Sequence, residues 1–239
     1  MTFPEYNQSY AEHEFAIHGE IQLHEKLQHH NLRTIFDVGC NIGEWSRMTR
    51  RYHPVSDIHL FEIVPQTFSK LISNNIVDAK MFPNSFGLSD NLHLVDLKVV
   101  SDNDRVSTSV LNLAHDNSVY LTGLGVPGDA YCRMHNISQI DFLKIDTEGH
   151  EYRVLEGFHS MLQQEQIKMI QFEYGYISIL TKKLLVDFYE LLTPLGFEIG
   201  KLTPQGVQFK NYQLWDEDFK GPDYIAVHKS CPQLIAAVK

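Results

Sequence analysis

From Arg33 onward, short apolar runs alternate with segments of helical period. The runs TIFDV, DIHLFEI, DAKMF, IDFLKID and KMIQFEY are rich in Ile, Phe and Val and too short for buried helices, which predicts strands. Between them, residues Gly43 to Tyr52, Gln66 to Asn74, His150 to Gln164 and Lys182 to Leu195 have the pattern of helices. Strand, helix and strand repeated in this way specify a parallel sheet covered on both faces. The last portion, FEIGKLTP, NYQLW and DYIAVHK, reads as strands without intervening helix and predicts an antiparallel hairpin at one edge. Residues 10–30 place Phe15, Ile17, Ile21, Leu23 and Leu27 among polar residues, as an accessory helix lying on a larger body would. The chain therefore divides into an N-terminal helical extension, 1–32, and one α/β domain, 33–239. Polar clusters with Gly and Pro make Ser101 to Gly128 a predicted loop or lid beside a site.

Composition narrows the function classes. The 239 residues carry 20 Lys and Arg against 30 Asp and Glu, a formal charge of −10, which argues against a binder of nucleic-acid backbones. The opening MTFPEYNQSY has neither a basic nor an apolar leader segment, and no apolar stretch reaches the roughly 18 residues of a membrane span. Three widely spaced cysteines, Cys40, Cys132 and Cys231, suggest neither a disulfide framework nor a zinc site, so a cytoplasmic location is expected. Five of the 13 histidines fall in residues 10–30, but His13 and His18, like His24 and His29, are five apart, which does not suit a helical metal pair. A solvated helix face accounts for them.

In open parallel sheets, ligands bind beyond the carboxyl ends of the strands. The first strand ends in Asp37-Val38-Gly39-Cys40-Asn41-Ile42-Gly43 and runs into a helix whose free N–H groups suit an anion. Its glycines are four apart, so the GxGxxG of pyrophosphate-binding dehydrogenases is absent. Glu62, at the end of the second strand and 23 residues after Gly39, stands where a carboxylate accepts hydrogen bonds from ribose hydroxyls. Then comes an acidic turn, Asp146-Thr147-Glu148-Gly149-His150-Glu151, between a strand and a helix. Helix capping explains one or two of these acids but not the whole cluster. Glu173 ends the following strand on the same rim. Such carboxylates can serve as a general base, hold a substrate hydroxyl or ligate a hard cation.

FDVGCNIGEWS, LFEIVP and above all DFLKIDTEGHEYRVLEGF resemble the FkbM family of S-adenosylmethionine-dependent methyltransferases, from about Arg33 to Lys229. The resemblance implies a Rossmann-like class I methyltransferase fold, with a seven-stranded, mostly parallel sheet, and methyl transfer to a hydroxyl oxygen of a small molecule, sugar or glycan. It makes Asp37, Gly39, Cys40, Asn41 and Gly43 the loop around the methionine portion of the cofactor and Glu62 the ribose ligand. It places Ser85 and Phe86 against the adenine, Ser85 departing from the Asn or Asp usual there. Asp146, Glu148 and Glu151 match the family's acidic run, while His150 stands where small or apolar residues are usual and is expected on an exposed helix start.

An alcohol is a poor nucleophile near neutral pH, so the enzyme must align the hydroxyl and begin to remove its proton. Asp146 is the first candidate for that role, with Glu148 and Glu173 as alternates and His150 outside them. A divalent cation on Asp146, Glu148 and Glu173 is a second version, not favoured because two turn residues and one from the next strand have no diagnostic spacing. Two other classes remain: a silent S-adenosylmethionine-binding protein, and a nicotinamide-dependent oxidoreductase, against which the missing GxGxxG counts. Tyr174, Tyr176 and Trp215 are candidates for an acceptor cleft, although core packing explains aromatics equally well.

Overall fold

The computed structural model describes residues 8–74, 77–100, 107–108, 118–221 and 223–239. Two helices, α1 (Gln8–His18) and α2 (Glu20–Leu27), precede β1 (Thr34–Val38), α3 (Glu44–Tyr52), β2 (Asp57–Phe61), α4 (Pro65–Ser73) and β3 (Met81–Asn84). A second group follows: β4 (Gly87–Ser89), β5 (His93–Val100), β6 (Ser107–Thr108) and β7 (Ser118–Pro127). The chain then returns through α5 (Gly128–Met134), β8 (Phe142–Ile145), α6 (Glu151–Glu156), α7 (His159–Gln163), β9 (Met169–Glu173), α8 (Ile177–Thr181) and α9 (Leu185–Leu192). It ends with β10 (Phe197–Thr203), β11 (Gly206–Phe209), a 3₁₀ turn at Leu214–Asp216, β12 (Asp223–His228) and α10 (Pro232–Val238).

The main sheet runs β11-β10-β12-β9-β8-β1-β2-β3, parallel from β9 to β3 and antiparallel at the β12, β10 and β11 end. The β10–β11 hairpin adds an eighth strand to the seven expected. The central strands are buried on both faces, as helices on both sides require. Phe36, Val38, Leu143, Ile145, Ile170 and Phe172 pack with α5, α6, α7 and α9, whereas Ile35, Phe142 and Met169 pack with α2, α3 and α10. Alternation along the strands puts Asp37, Lys144 and Gln171 on the second of these faces, in one row across β1, β8 and β9. Among the described residues no helix is long and apolar enough to cross a membrane.

Several expectations change. Of Ser101 to Gly128, residues 118–127 are a strand that pairs with β5 over 118–125 and with β4 over 125–127, and 101–106 and 109–117 lie outside the described residues. NYQLW is not a strand; its Leu214 and Trp215 open the 3₁₀ turn, and the hairpin partner of β10 is GVQF. The single helix expected from His150 to Gln164 breaks at Gly157, where a Cβ would lie 2.0 Å from the Ser89 carbonyl oxygen. The N-terminal helix turns at Gly19 into two. Leu23 and Leu27 of α2 share a core with Ile35, Trp45 and Ile225.

The histidines of α2 are not uniformly solvated. His24 is fully buried, with Nδ1 3.1 Å from Nε2 of His53 and Nε2 3.2 Å from the Thr49 hydroxyl. Burial holds both rings below the usual histidine range, His53 at about 4. A neutral imidazole can donate from one nitrogen and accept at the other, so His24 ties α2 to α3 where amphipathic periodicity alone suggested an outward face.

Candidate functional site

The carboxyl ends of β1, β2, β8 and β9 open into a cavity of about 410 Å³. Its floor is Val38, Gly39, Cys40 and Asn41, and its walls include Glu62, Asp146, Glu148, His150 and Glu173. Gly87 and Leu88 close one side, with Val95 and Leu97 of the second sheet; Glu14, Phe15 and His18 of α1 close another. This volume lies within the roughly 300–1,000 Å³ usual for small-molecule sites.

The glycine loop is shaped by its backbone. Gly39 has φ +80°, and a Cβ there would stand 1.8 Å from the Asp146 carbonyl oxygen, so the strand end at β1 and the acidic turn after β8 touch through a position without a side chain. Asn41 is also left-handed, at φ 51°, and its Oδ1 accepts from the Ile42 N–H at 2.7 Å, a local bond that stabilises this conformation in Asn. The loop then delivers α3, whose first-turn N–H groups have no helical partner.

Glu62 is buried and braced on both oxygens. Oε2 accepts from the Asn41 N–H at 3.0 Å and Oε1 from the Val64 N–H at 2.7 Å. The carboxylate keeps lone-pair capacity beyond these bonds, which a diol in the cavity can use. Burial raises Glu62 to about 7, against the pull of the Val64, Asn41 and Ile63 N–H groups.

The acidic turn distributes its members differently. Glu151 does not reach the cavity: it folds back to accept from the N–H groups of Thr147 at 2.8 Å and Gly149 at 3.0 Å, and so holds the turn closed. Asp146 Oδ2 is 3.0 Å from Lys144 Nζ. Glu148 sits at φ 53°, and burial, with Asp146 and Glu151 adding to it, pushes its carboxyl up to about 8. Glu173 is raised well above the carboxylate range by burial and by Asp146, Glu148, Glu151 and Asp223. One oxygen from each of Asp146, Glu148 and Glu173 lies within 4.8 Å of the others.

His150 is not an exposed helix residue. It is half-buried, lines the cavity, and places Nε2 2.8 Å from the Ser89 hydroxyl. Burial, then Arg153, lower it to about 4, which makes it a weak base.

Other candidates lie off the cavity. Asp37 is fully buried below the loop, where Ser46 Oγ donates to it at 2.7 Å and Lys144 Nζ is 3.6 Å away. Gly43 starts α3 behind the floor. Ser85 is exposed and Phe86 packs on Phe61 and Tyr131, so the wall nearby is Gly87 and Leu88 instead. Tyr174 is core and donates to Glu217, whereas Tyr176 and Trp215 are exposed and outside the cavity lining.

Lys144, Asp223 and Glu20 are among the lining residues that escaped the sequence reading. Lys144 precedes Asp146 by two on a strand and so shares its face, a readable signal. Asp223 pairs with Glu173 across β12 and β9, and Glu20 accepts from Gln171 Nε2 at 2.8 Å. Both depend on sheet order and helix docking, which no local pattern encodes.

The strand order, the glycine loop and the cavity at the strand ends define a class I methyltransferase fold. A structure from Staphylococcus aureus, titled a "putative caffeoyl-CoA O-methyltransferase", superposes with a TM-score of 0.50 at 11% identity, covering 94% of this chain and 93% of that one. The plantazolicin methyltransferase BpumL in complex with SAH gives 0.48 at 11% identity over 92% of this chain and 88% of that one. Residues 37–199 match the methyltransferase FkbM domain, and the chain belongs to that family. The hexuronic acid methyltransferase AglP of Haloferax volcanii is 26% identical over 171 residues, 70% of this chain and 65% of AglP, so this chain spans just under two thirds of that relative.

Proposed function

We propose that this protein is a cytoplasmic S-adenosylmethionine-dependent O-methyltransferase acting on a hydroxyl of a small molecule, sugar or glycan, with residues 33–239 as its methyltransferase domain. The observation that carries the reading is the meeting of the glycine loop, Glu62 and the Asp146–Glu148–Glu173 cluster in one cavity. Membership of the FkbM domain family supports methyl transfer, and the activity named for AglP supports a sugar-derived acceptor.

The cavity fits the cofactor on its own chemistry. Glu62 keeps lone-pair capacity for a ribose, the first turn of α3 offers N–H groups to a carboxylate, and Trp45, which lines the cavity, has a buried indole N–H without a hydrogen-bond partner among the described residues. Gly39, Cys40 and Asn41 form the floor beneath the methionine portion; Asp37 and Gly43 hold that floor from behind. Ser85 and Phe86 act at most through the neighbouring wall of Gly87 and Leu88. The cofactor supplies a methyl group activated on a sulfonium. Carboxylates around the cavity favour that cation electrostatically and disfavour nucleic acid as acceptor.

Asp146 orients the acceptor hydroxyl or takes its proton; Glu148 and Glu173 stand beside it as alternates, and His150 as the outer candidate. Positioning in the cavity and proton removal together make the hydroxyl a competent nucleophile. The test is transfer of labelled methyl from S-adenosylmethionine to a panel of sugars, uronic acids and glycans. Label in a hydroxyl ether that is lost in Asp146→Asn, with cofactor affinity retained, supports the reading. Cofactor binding with no transfer to any acceptor favours a silent binding protein.

A further inference from the structure

Asp146, Glu148 and Glu173 each offer an oxygen within 4.8 Å of the other two, and Asp223 lies beside Glu173 in the sheet register. Among the described residues Lys144 is the one lysine or arginine in the cavity lining, and its Nζ lies 3.0 Å from Asp146 and 3.6 Å from Asp37. An independent observation concerns Glu173. Its carboxyl is almost wholly enclosed by protein, and Oε2 has no hydrogen-bond partner among the described residues, although Glu173 is part of the cavity lining. A buried acceptor left without a donor is unfavourable, so a ligand that supplies positive charge there is favoured.

Geometry selects the kind of ligand. Two oxygens on one hard cation, each about 2.0–2.6 Å from it, are at most about 4–5 Å apart. The observed limit of 4.8 Å meets that condition for all three carboxylates without any backbone change. The oxygens come from rigid points: Asp146 directly after β8, Glu173 at the end of β9, and Glu148 from a turn that Glu151 clamps through Thr147 and Gly149. All donors are oxygens, with no cysteine or histidine among them, which suits Mg²⁺, Mn²⁺ or Ca²⁺ over Zn²⁺.

We propose that Asp146, Glu148 and Glu173 form a binding site for one hard divalent cation, with its remaining coordination positions open to the cavity. The site stands whether or not the protein transfers methyl groups. Its consequence for the acceptor rests on the methyl-transfer reading: a dication turns a wall that repels anions into one that accepts a carboxylate or a pair of hydroxyls and lowers the pKa of a hydroxyl bound to it.

The test uses Mn²⁺ as the probe on the full chain, followed by the loss of the free-ion paramagnetic resonance signal. The expected result is one saturable site per chain, competed by Mg²⁺ and Ca²⁺, with affinity reduced at least about tenfold in Glu173→Gln and in Glu148→Gln. Asp96→Asn, on the exposed face of β5, should bind Mn²⁺ as the parent does, and far-UV circular dichroism checks that each variant is folded. No binding at about 1 mM Mn²⁺, or binding unchanged in both glutamine variants, overturns the site. S-adenosylhomocysteine binding measured without metal is the separate arm. Its retention when Mn²⁺ fails to bind removes the cation and leaves the methyl-transfer reading intact.

Discussion

Lys144 and Asp37 are register partners on β8 and β1, and Lys144 Nζ lies 3.6 Å from Asp37 Oδ1 in a fully buried setting. Burial opposes the charge of Lys144, but Asp146, Asp37 and Glu20 outweigh it and hold the ammonium above the usual lysine range. Burial raises Asp37, with Lys144 and the Ser46 hydroxyl acting against it. The pair is thus a support for the strand ends that carry the glycine loop and the acidic turn.

Removing the cation alone leaves Asp37 buried without its ion-pair partner. Lys144→Met should destabilise the fold by about 3–5 kcal/mol in urea unfolding, and adding Asp37→Asn should recover part of that loss. A cost below about 1 kcal/mol in the single variant contradicts the assigned support.

Glu62 joins the second strand to the glycine loop and faces the cavity. Glu62→Gln cannot accept from both Asn41 and Val64 and still meet a diol, so S-adenosylhomocysteine should bind roughly 10- to 100-fold more weakly, the loss expected for charge-assisted hydrogen bonds of about 1.5–3 kcal/mol. Because the carboxyl titrates at about 7, it is protonated below that pH and a full acceptor above it. Affinity in the parent should rise between pH 6 and pH 8 by calorimetry, and the rise should vanish in Glu62→Gln. A flat parent profile removes Glu62 from the binding surface.

Glu20 is 5% exposed and is raised from 4.5 to about 7 by burial, against Lys144 and Gln171. The folded chain therefore binds a proton that the unfolded chain has released, so stability is greatest below about pH 4.5 as far as this group is concerned and falls as pH rises through 7. Glu20→Gln removes that dependence, and its amide can donate toward Gln171 Oε1, a buried atom without a partner among the described residues. At pH 8 the variant should be more stable than the parent by on the order of 1–3 kcal/mol, with little difference at pH 5. Equal unfolding midpoints at both pH values contradict the raised titration.

The two-faced strands were legible because burial on both sides makes β1, β2, β8 and β9 short runs in which Ile, Phe, Leu and Val dominate. The strand β7 was not. SVYLTGLGVP has the glycines and polar residues of a loop, yet Gly123 and Gly125 are there because Ile63, Ser89 and Val95 pack where side chains would stand. The site divides in the same way. Asp146, Glu148 and Glu173 could be brought together from the rule that ligands meet strand ends, since their strands were identified and adjacent. Glu14, Glu20, His18 and Asp223 reach the cavity through helix docking and an antiparallel return, and their local sequence carries no sign of it. His24 shows the converse: a polar residue in an amphipathic helix that its partner histidine allows to be buried.

The most direct test of the cavity as an S-adenosylmethionine site is a calorimetric titration of the full chain with S-adenosylhomocysteine beside one with NAD. One saturable S-adenosylhomocysteine site per chain, weakened in Glu62→Gln, with no heat of binding from NAD, is the predicted result. No S-adenosylhomocysteine binding by the folded parent, or equal binding of NAD, contradicts it.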